Sequence, residues 1–314
     1  MENLIFSMSA TMPIFLTMAA GVLFRKIGLI DEAFSAKMNT FVFKVALPML
    51  LFEDLSTAAF ADVWDLKFVL FCFGMTAVSI LILTLLSFLF VKKEYRAEFV
   101  QGSYRSSAAL LGIAFIQNIY GNSGMAPLMI VATVPLYNVA AVLILSLMNP
   151  KQEKLNKAAL KKALKGVATN PIIWGILLGF LWSLAGLHMP LILNKTLHNI
   201  AVLATPMGLM SMGASFEGRK ALASIRLTLI SSAIKLVGLA AIGLPIAIWC
   251  GFTGAMLIAI LVMLGSATTV SCYIMAKNMD CEGTLTASII MVTTLFSAFT
   301  LTMWLYVLKT MGLV

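Results

Sequence analysis

Ten long apolar runs, none of them alternating with polar residues, constrain the fold of this 314-residue chain more than any other feature. They fall at 8–29, 38–57, 67–91, 104–120, 125–148, 170–187, 194–214, 227–249, 253–276 and 284–308. A helix needs roughly 20 apolar residues to cross a bilayer. Inside lipid the backbone must satisfy its own hydrogen bonds, so only helices and closed barrels span. Barrel strands alternate with a period of two, and these runs do not. Hydrophobic residues make up 61% of the chain and charged residues 11%. A soluble domain is nearer half apolar and a quarter charged. The expectation is an all-α membrane protein of ten transmembrane helices. The first 30 residues lack a basic leader and a cleavage site, so the first run reads as a retained span.

Charge sets the expected orientation. Of the 22 Lys and Arg, 17 fall in the odd-numbered loops, with Arg105 counted at the end of loop three. The positive-inside rule places those loops in the cytoplasm and both termini outside, in a cell inner (plasma) membrane. The net charge of +9 is explained by these loops and by anionic headgroups, and no nucleic-acid motif accompanies it. Loop five carries Lys151, Lys154, Lys157, Lys161, Lys162 and Lys165. It reads as a linker between halves or as a short amphipathic helix on the inner leaflet, and the two readings are compatible. Cys72, Cys250, Cys272 and Cys281 show no metal-binding spacing and read as small buried apolar residues. No metal and no cofactor is expected.

The chain divides into a first five-helix repeat at 1–149, a basic cytoplasmic linker at 150–169 and a second repeat at 170–314. The second span of each half carries a proline in similar surroundings, Pro48 and Pro206. The fourth span of each half, spans four and nine, is rich in glycine and hydroxyl residues. Halves with an odd number of spans insert in opposite orientations, which is the inverted repeat of many secondary transporters. Proline removes a backbone donor. Runs of Gly, Ser and Thr let a helix unwind. Such irregular backbone survives at membrane depth only around a cavity lined by protein or water. The paired breaks are therefore expected to face each other and to give a site with positive half-helix ends for an anion.

The candidate binding residues follow from those breaks. Ser107, Thr268, Thr269 and Ser271 offer neutral hydroxyls, and Gly112 and Ala267 mark the unwound backbone. Pro48, Leu51, Pro206 and Ser211 belong to the proline-bearing spans. Lys235 lies about 12 Å inside span eight at 1.5 Å per residue. A lysine at such depth costs ~3 kcal/mol unless it is paired or snorkels. It reads either as a charge that attracts a carboxylate or as a tether between helices. Lys44, shallower in span two, reads as snorkelling. Glu53, Asp54, His188 and His198 read first as groups at solvated outer helix ends.

The chain resembles the auxin efflux carrier family, in the short bacterial form described as malate or malonate permeases. The segments that carry the resemblance are 39–52 (NTFVFKVALPMLLF), Tyr104-Arg105-Ser106-Ser107, Asn170-Pro171-Ile172-Ile173, 206–213 and Lys235-Leu236. It implies ten spans in two inverted repeats, crossing breaks at spans four and nine, and elevator-like alternation of a transport domain against a scaffold. It also implies organic-anion transport and frequent homodimers. The family often has Asn at the position of Ser107 and Pro at those of Ala114 and Ala267. Here the breaks must rest on Gly112 and on residues 265–271 instead.

The partners expected are thus a small organic anion, the bilayer and a second copy of the chain, with a coupling proton or sodium ion left open. A cation-coupled symporter or antiporter of the same build is the alternative, and it would want acidic residues that spans four and nine lack. An intramembrane enzyme would need an HExxH or GxGD-type pair, and neither is present. A sensor or scaffold without transport would need no cavity at the crossing.

Overall fold

The computed structural model describes residues 2–57, 64–108, 113–121, 124–150 and 157–314, without the side chains of residues 2–11, 114 and 118. All regular structure among these residues is helical. The order is α1 (Glu2–Lys26), α2 (Glu32–Phe41), α3 (Leu47–Ser56), α4 (Leu66–Phe90), α5 (Lys93–Tyr104), α6 (Ile113–Tyr120) and α7 (Ala126–Leu147). There follow α8 (Lys157–Thr169), α9 (Pro171–Leu184), α10 (Leu191–Ala201), α11 (Ala204–Ala214), α12 (Gly218–Ala223) and α13 (Ile225–Ala233). The last are α14 (Leu239–Trp249), α15 (Gly254–Gly265), α16 (Ser271–Asn278) and α17 (Thr284–Thr310). Among the described residues α4, α7, α17 and the continuous rod from Ile225 to Trp249 are long and apolar enough to cross a bilayer. α8 and α9 together reach that length but bend by 51°.

Local chemistry sets several boundaries. Asp65 Oδ1 accepts from the Phe68 amide at 2.9 Å and caps α4. Asp31 Oδ1 does the same for α2 at the Phe34 amide. Asn170 accepts from Ile172 at 2.9 Å, with Pro171 at the first helical position where its missing N–H costs nothing. Span two is not broken at its proline. A π-helical turn, Val42–Ala46, joins α2 to α3, and Pro48 sits in the first turn of α3. A second π turn, Ile234–Gly238, joins α13 to α14 around Lys235. The wider turn displaces side chains while keeping the rod continuous.

Two close helix crossings are built alike. A Cβ on Gly21 of α1 would run into the Met210 backbone of α11, and one on Gly213 of α11 would run into Met18 of α1. A Cβ on Gly175 of α9 would meet the Pro48 backbone of α3, and one on Gly179 would lie 2.7 Å from the Phe52 carbonyl oxygen. Small residues let backbones touch, whether one glycine from each helix, as in α1 with α11, or two glycines separated by three residues on α9, and without a hydrophobic driving force such packing holds helices together in lipid. Each crossing joins the first apolar run of one half to the second run of the other.

Loop five contains α8, whose Ala159 and Ala163 are buried while Leu160, Leu164 and four lysines are exposed. Its first residues, 151–156, lie outside the described residues. The fourth run starts earlier than its hydropathy indicates. α5 begins at Lys93 and is buried from Ala97 to Tyr104, Glu98 and Gln101 included. Glu98 is satisfied by the Gly283 and Thr286 amides and the Thr286 hydroxyl, each at 2.9 Å, and so caps the start of α17. Paired polar groups can enter the interior, and a hydropathy window cannot detect the pairing.

Candidate binding cavity at the helix crossing

Two helices stop in the middle of the molecule. α5 ends at Tyr104, and the chain runs extended through Arg105 before α6 begins at Ile113. α15 ends at Gly265, and residues 266–270 carry the chain to the start of α16. The two breaks touch. The Ser107 amide donates to the Ala267 carbonyl at 2.8 Å. Thr268 is held at both ends, its amide donating to Thr293 Oγ1 at 3.1 Å and its hydroxyl to the Gly102 carbonyl at 2.7 Å. These bonds satisfy backbone that unwinding frees, which burial makes obligatory.

Between this crossing and the helices α1, α3 and α11 lies a cavity of about 270 Å³. Thr268, Thr269, Val270 and Ser271 line it from the second break, and Arg105 to Ala108 from the first. Leu50, Leu51 and Asp54 approach from α3, and Ala204 and Thr205 from α11. The N-terminus of α16 opens on it, and the macrodipole makes that end a weak positive pole.

Arg105 gives the cavity its charge. It is 2% exposed. One terminal nitrogen donates to Asn138 Oδ1 and to Ser271 Oγ, both at 2.9 Å. The other meets Met275 Sδ at 2.9 Å, and Nε has no partner among the described residues. The Asn138 amide nitrogen donates to the Val134 carbonyl at 2.9 Å, which turns its oxygen toward the guanidinium. Among the described residues no carboxylate lies within ion-pair distance of Arg105. A guanidinium presents a rigid fork of donors suited to a carboxylate.

Lys235 is also buried, at 0% exposure, but its ammonium does not line the cavity. It donates to Ser106 Oγ and the Leu264 carbonyl, each at 2.6 Å, and to the Met263 carbonyl at 3.4 Å. Met263 and Leu264 lie in the last turn of α15, where carbonyls have no partner within the helix. Ser106 Oγ also bonds the Met263 carbonyl. The lysine therefore ties one break to the other.

Of the residues singled out from sequence, the structure gathers Leu51, Ser107, Thr268, Thr269 and Ser271 around the cavity. Ala267 contributes its carbonyl to the crossing. Pro48 packs its backbone against Gly175. Ser211 lies at the α2–α11 contact, bonded to Ser35 Oγ at 2.7 Å. Pro206 sits in the first turn of α11 and does not line the cavity. Gly112 lies outside the described residues. Glu53 pairs with His198 Nδ1 at 2.8 Å near the surface, whereas its neighbour Asp54 turns to the cavity.

Arg105, Asn138, Tyr137 and Asp54 also line the cavity, and the sequence alone does not mark them as site residues. Hydropathy places Arg105 at a span edge, among loop charges. Asn138, a lone amide within a 22-residue apolar helix, was a usable signal, since intramembrane polar groups are expensive and tend to be functional.

A search among curated proteins found no match. A family profile described as "Membrane transport protein" matches residues 6–305, nearly the whole chain. With apolar helices that fit a multi-pass membrane protein, the chain belongs to this transporter family, the auxin efflux carrier family.

Proposed function

We propose that the protein is a secondary transporter of a small organic anion, such as malate, malonate or another carboxylate, with its site at the crossing of spans four and nine. The observation that carries this reading is Arg105, a buried guanidinium on a cavity with no carboxylate paired to it among the described residues. Taking such a charge out of water is costly, and an incoming carboxylate would offset that cost.

The architecture we infer is ten spans in two inverted five-helix repeats. Its support is the reciprocal pair of glycine crossings, α1 with α11 and α9 with α3, together with breaks in the fourth and ninth runs. The cavity lies where α1, α3 and α11 meet the broken helices, as an elevator requires when one group slides past the other with its cargo. The odd loops would face the cytoplasm, both termini the outside, and the protein would work as a homodimer.

The test is uptake by purified protein in liposomes of labelled mono- and dicarboxylates, malate and malonate included. Uptake above that of empty liposomes is expected, and a broad carboxylate panel showing neither binding nor flux would sink the reading. A cation-coupled cycle is favoured by one observation, the Asp54 carboxylate on the cavity wall. Stimulation by a sodium or proton gradient in the same assay would establish coupling.

A further inference from the structure

The cavity has two charged walls of opposite sign. Arg105 supplies the cation from the first break, and Asp54 supplies an anion from α3. The remaining polar lining is neutral, made of the Asn138 amide and of hydroxyls, those of Ser107, Thr269 and Ser271 among them. Among the described residues no cation lies within ion-pair distance of Asp54. Lys235 does not change this balance, because its three donors end on Ser106 and two carbonyls of α15. The negative end of that helix offsets its charge. The walls together carry no net charge. A dianion would gain one attraction at Arg105 and meet one repulsion at Asp54. A plain monoanion would leave Asp54, half-buried on the cavity wall, without a counter-ion among the described residues. A ligand bearing one carboxylate and one ammonium satisfies both walls, and specificity in a buried site comes from leaving no polar group unpaired.

Resting on the carboxylate pairing with Arg105 proposed above, we propose that the cargo is amphoteric: a small amino acid whose carboxylate pairs with Arg105 and whose ammonium pairs with Asp54. At about 270 Å³ the cavity lies just under the usual range for ligand sites, which suits a compact substrate. The carboxylate would sit on the guanidinium, beside the start of α16. The ammonium would face α3, so substrate would bridge the broken helices and the α1, α3 and α11 group.

The test uses full-length protein in liposomes and neutral amino acids beside their 2-hydroxy analogues, alanine beside lactate for example, with malate as the dianion. Each pair differs only in ammonium against hydroxyl. The wild type should favour the amino acid of a pair by about tenfold or more, the scale of one charge-assisted contact. Asp54→Asn, nearly isosteric, should reverse this, weakening the amino acid about tenfold and raising lactate and malate uptake. That opposite movement cannot come from misfolding. Malate or lactate uptake that no amino acid inhibits would overturn this proposal alone. So would an Asp54→Asn protein that loses all carboxylates alike, since Asp54 would then hold a coupling cation. No uptake of any carboxylate, amino acids included, would overturn the anion reading and this proposal together.

Discussion

Arg105 and Lys235 are both buried cations beside the same crossing, yet their surroundings differ in kind. Lys235 is surrounded by acceptors of the protein, a hydroxyl and two carbonyls at the end of α15. Among the described residues Arg105 has only an amide, a hydroxyl and a thioether, keeps Nε unpartnered, and faces a cavity. A buried charge whose donors are filled belongs to the architecture. One left with spare donors on a cavity can take a ligand. Depth in the membrane does not separate the two; partners do.

The comparison can be broken by substitution. Arg105→Gln should weaken carboxylate binding about 100-fold, the upper range for losing charged hydrogen bonds. Arg105→Lys should recover only part of it, because an ammonium lacks the planar fork. Equal binding by Arg105→Gln and wild type, measured by isothermal titration in detergent, would remove Arg105 from the site.

Lys235→Met should behave in the opposite way. It strands the Leu264 carbonyl while Met263 keeps the Ser106 hydroxyl, and a buried unpaired acceptor costs roughly 1–3 kcal/mol. The melting temperature should drop by several degrees while carboxylate affinity stays within about threefold. A large affinity loss without a stability loss would make Lys235 a ligand-binding charge.

Asn138→Leu sharpens the Arg105 side of the comparison. It removes one oriented acceptor, so affinity should fall about tenfold, less than for Arg105→Gln. An affinity loss as large as that of Arg105→Gln would mean that Asn138 itself touches the substrate. The smallest effect is expected at Ser106, which lines the cavity and also accepts from Lys235. Ser106→Ala should cost about 1 kcal/mol of stability, seen as a small melting shift with transport nearly intact.

How much of this was legible depends on what sequence encodes. Long apolar runs announce helices because lipid leaves the backbone no other choice. The hydroxyl-rich stretch at 266–271 announced one wall of the cavity, since unwound backbone needs small and polar neighbours. Pairing in space was not legible. Glu98 and Arg105 look like loop residues until Thr286, Asn138 and Ser271 are brought beside them by other helices. The proline in span two promised a break, but the π turn before Pro48 accommodates it without one. Asp54 and Glu53 are adjacent in sequence, and only the rotation of α3 sends one to His198 and the other to the cavity.

The central claim is that Arg105 and the break at 266–270 hold the substrate. An experimental density map of the protein with a transported carboxylate would test it most directly. The account predicts the carboxylate on the Arg105 guanidinium, beside Ser271 at the N-terminus of α16. Substrate density elsewhere, with the Arg105 cavity holding only water, would contradict it.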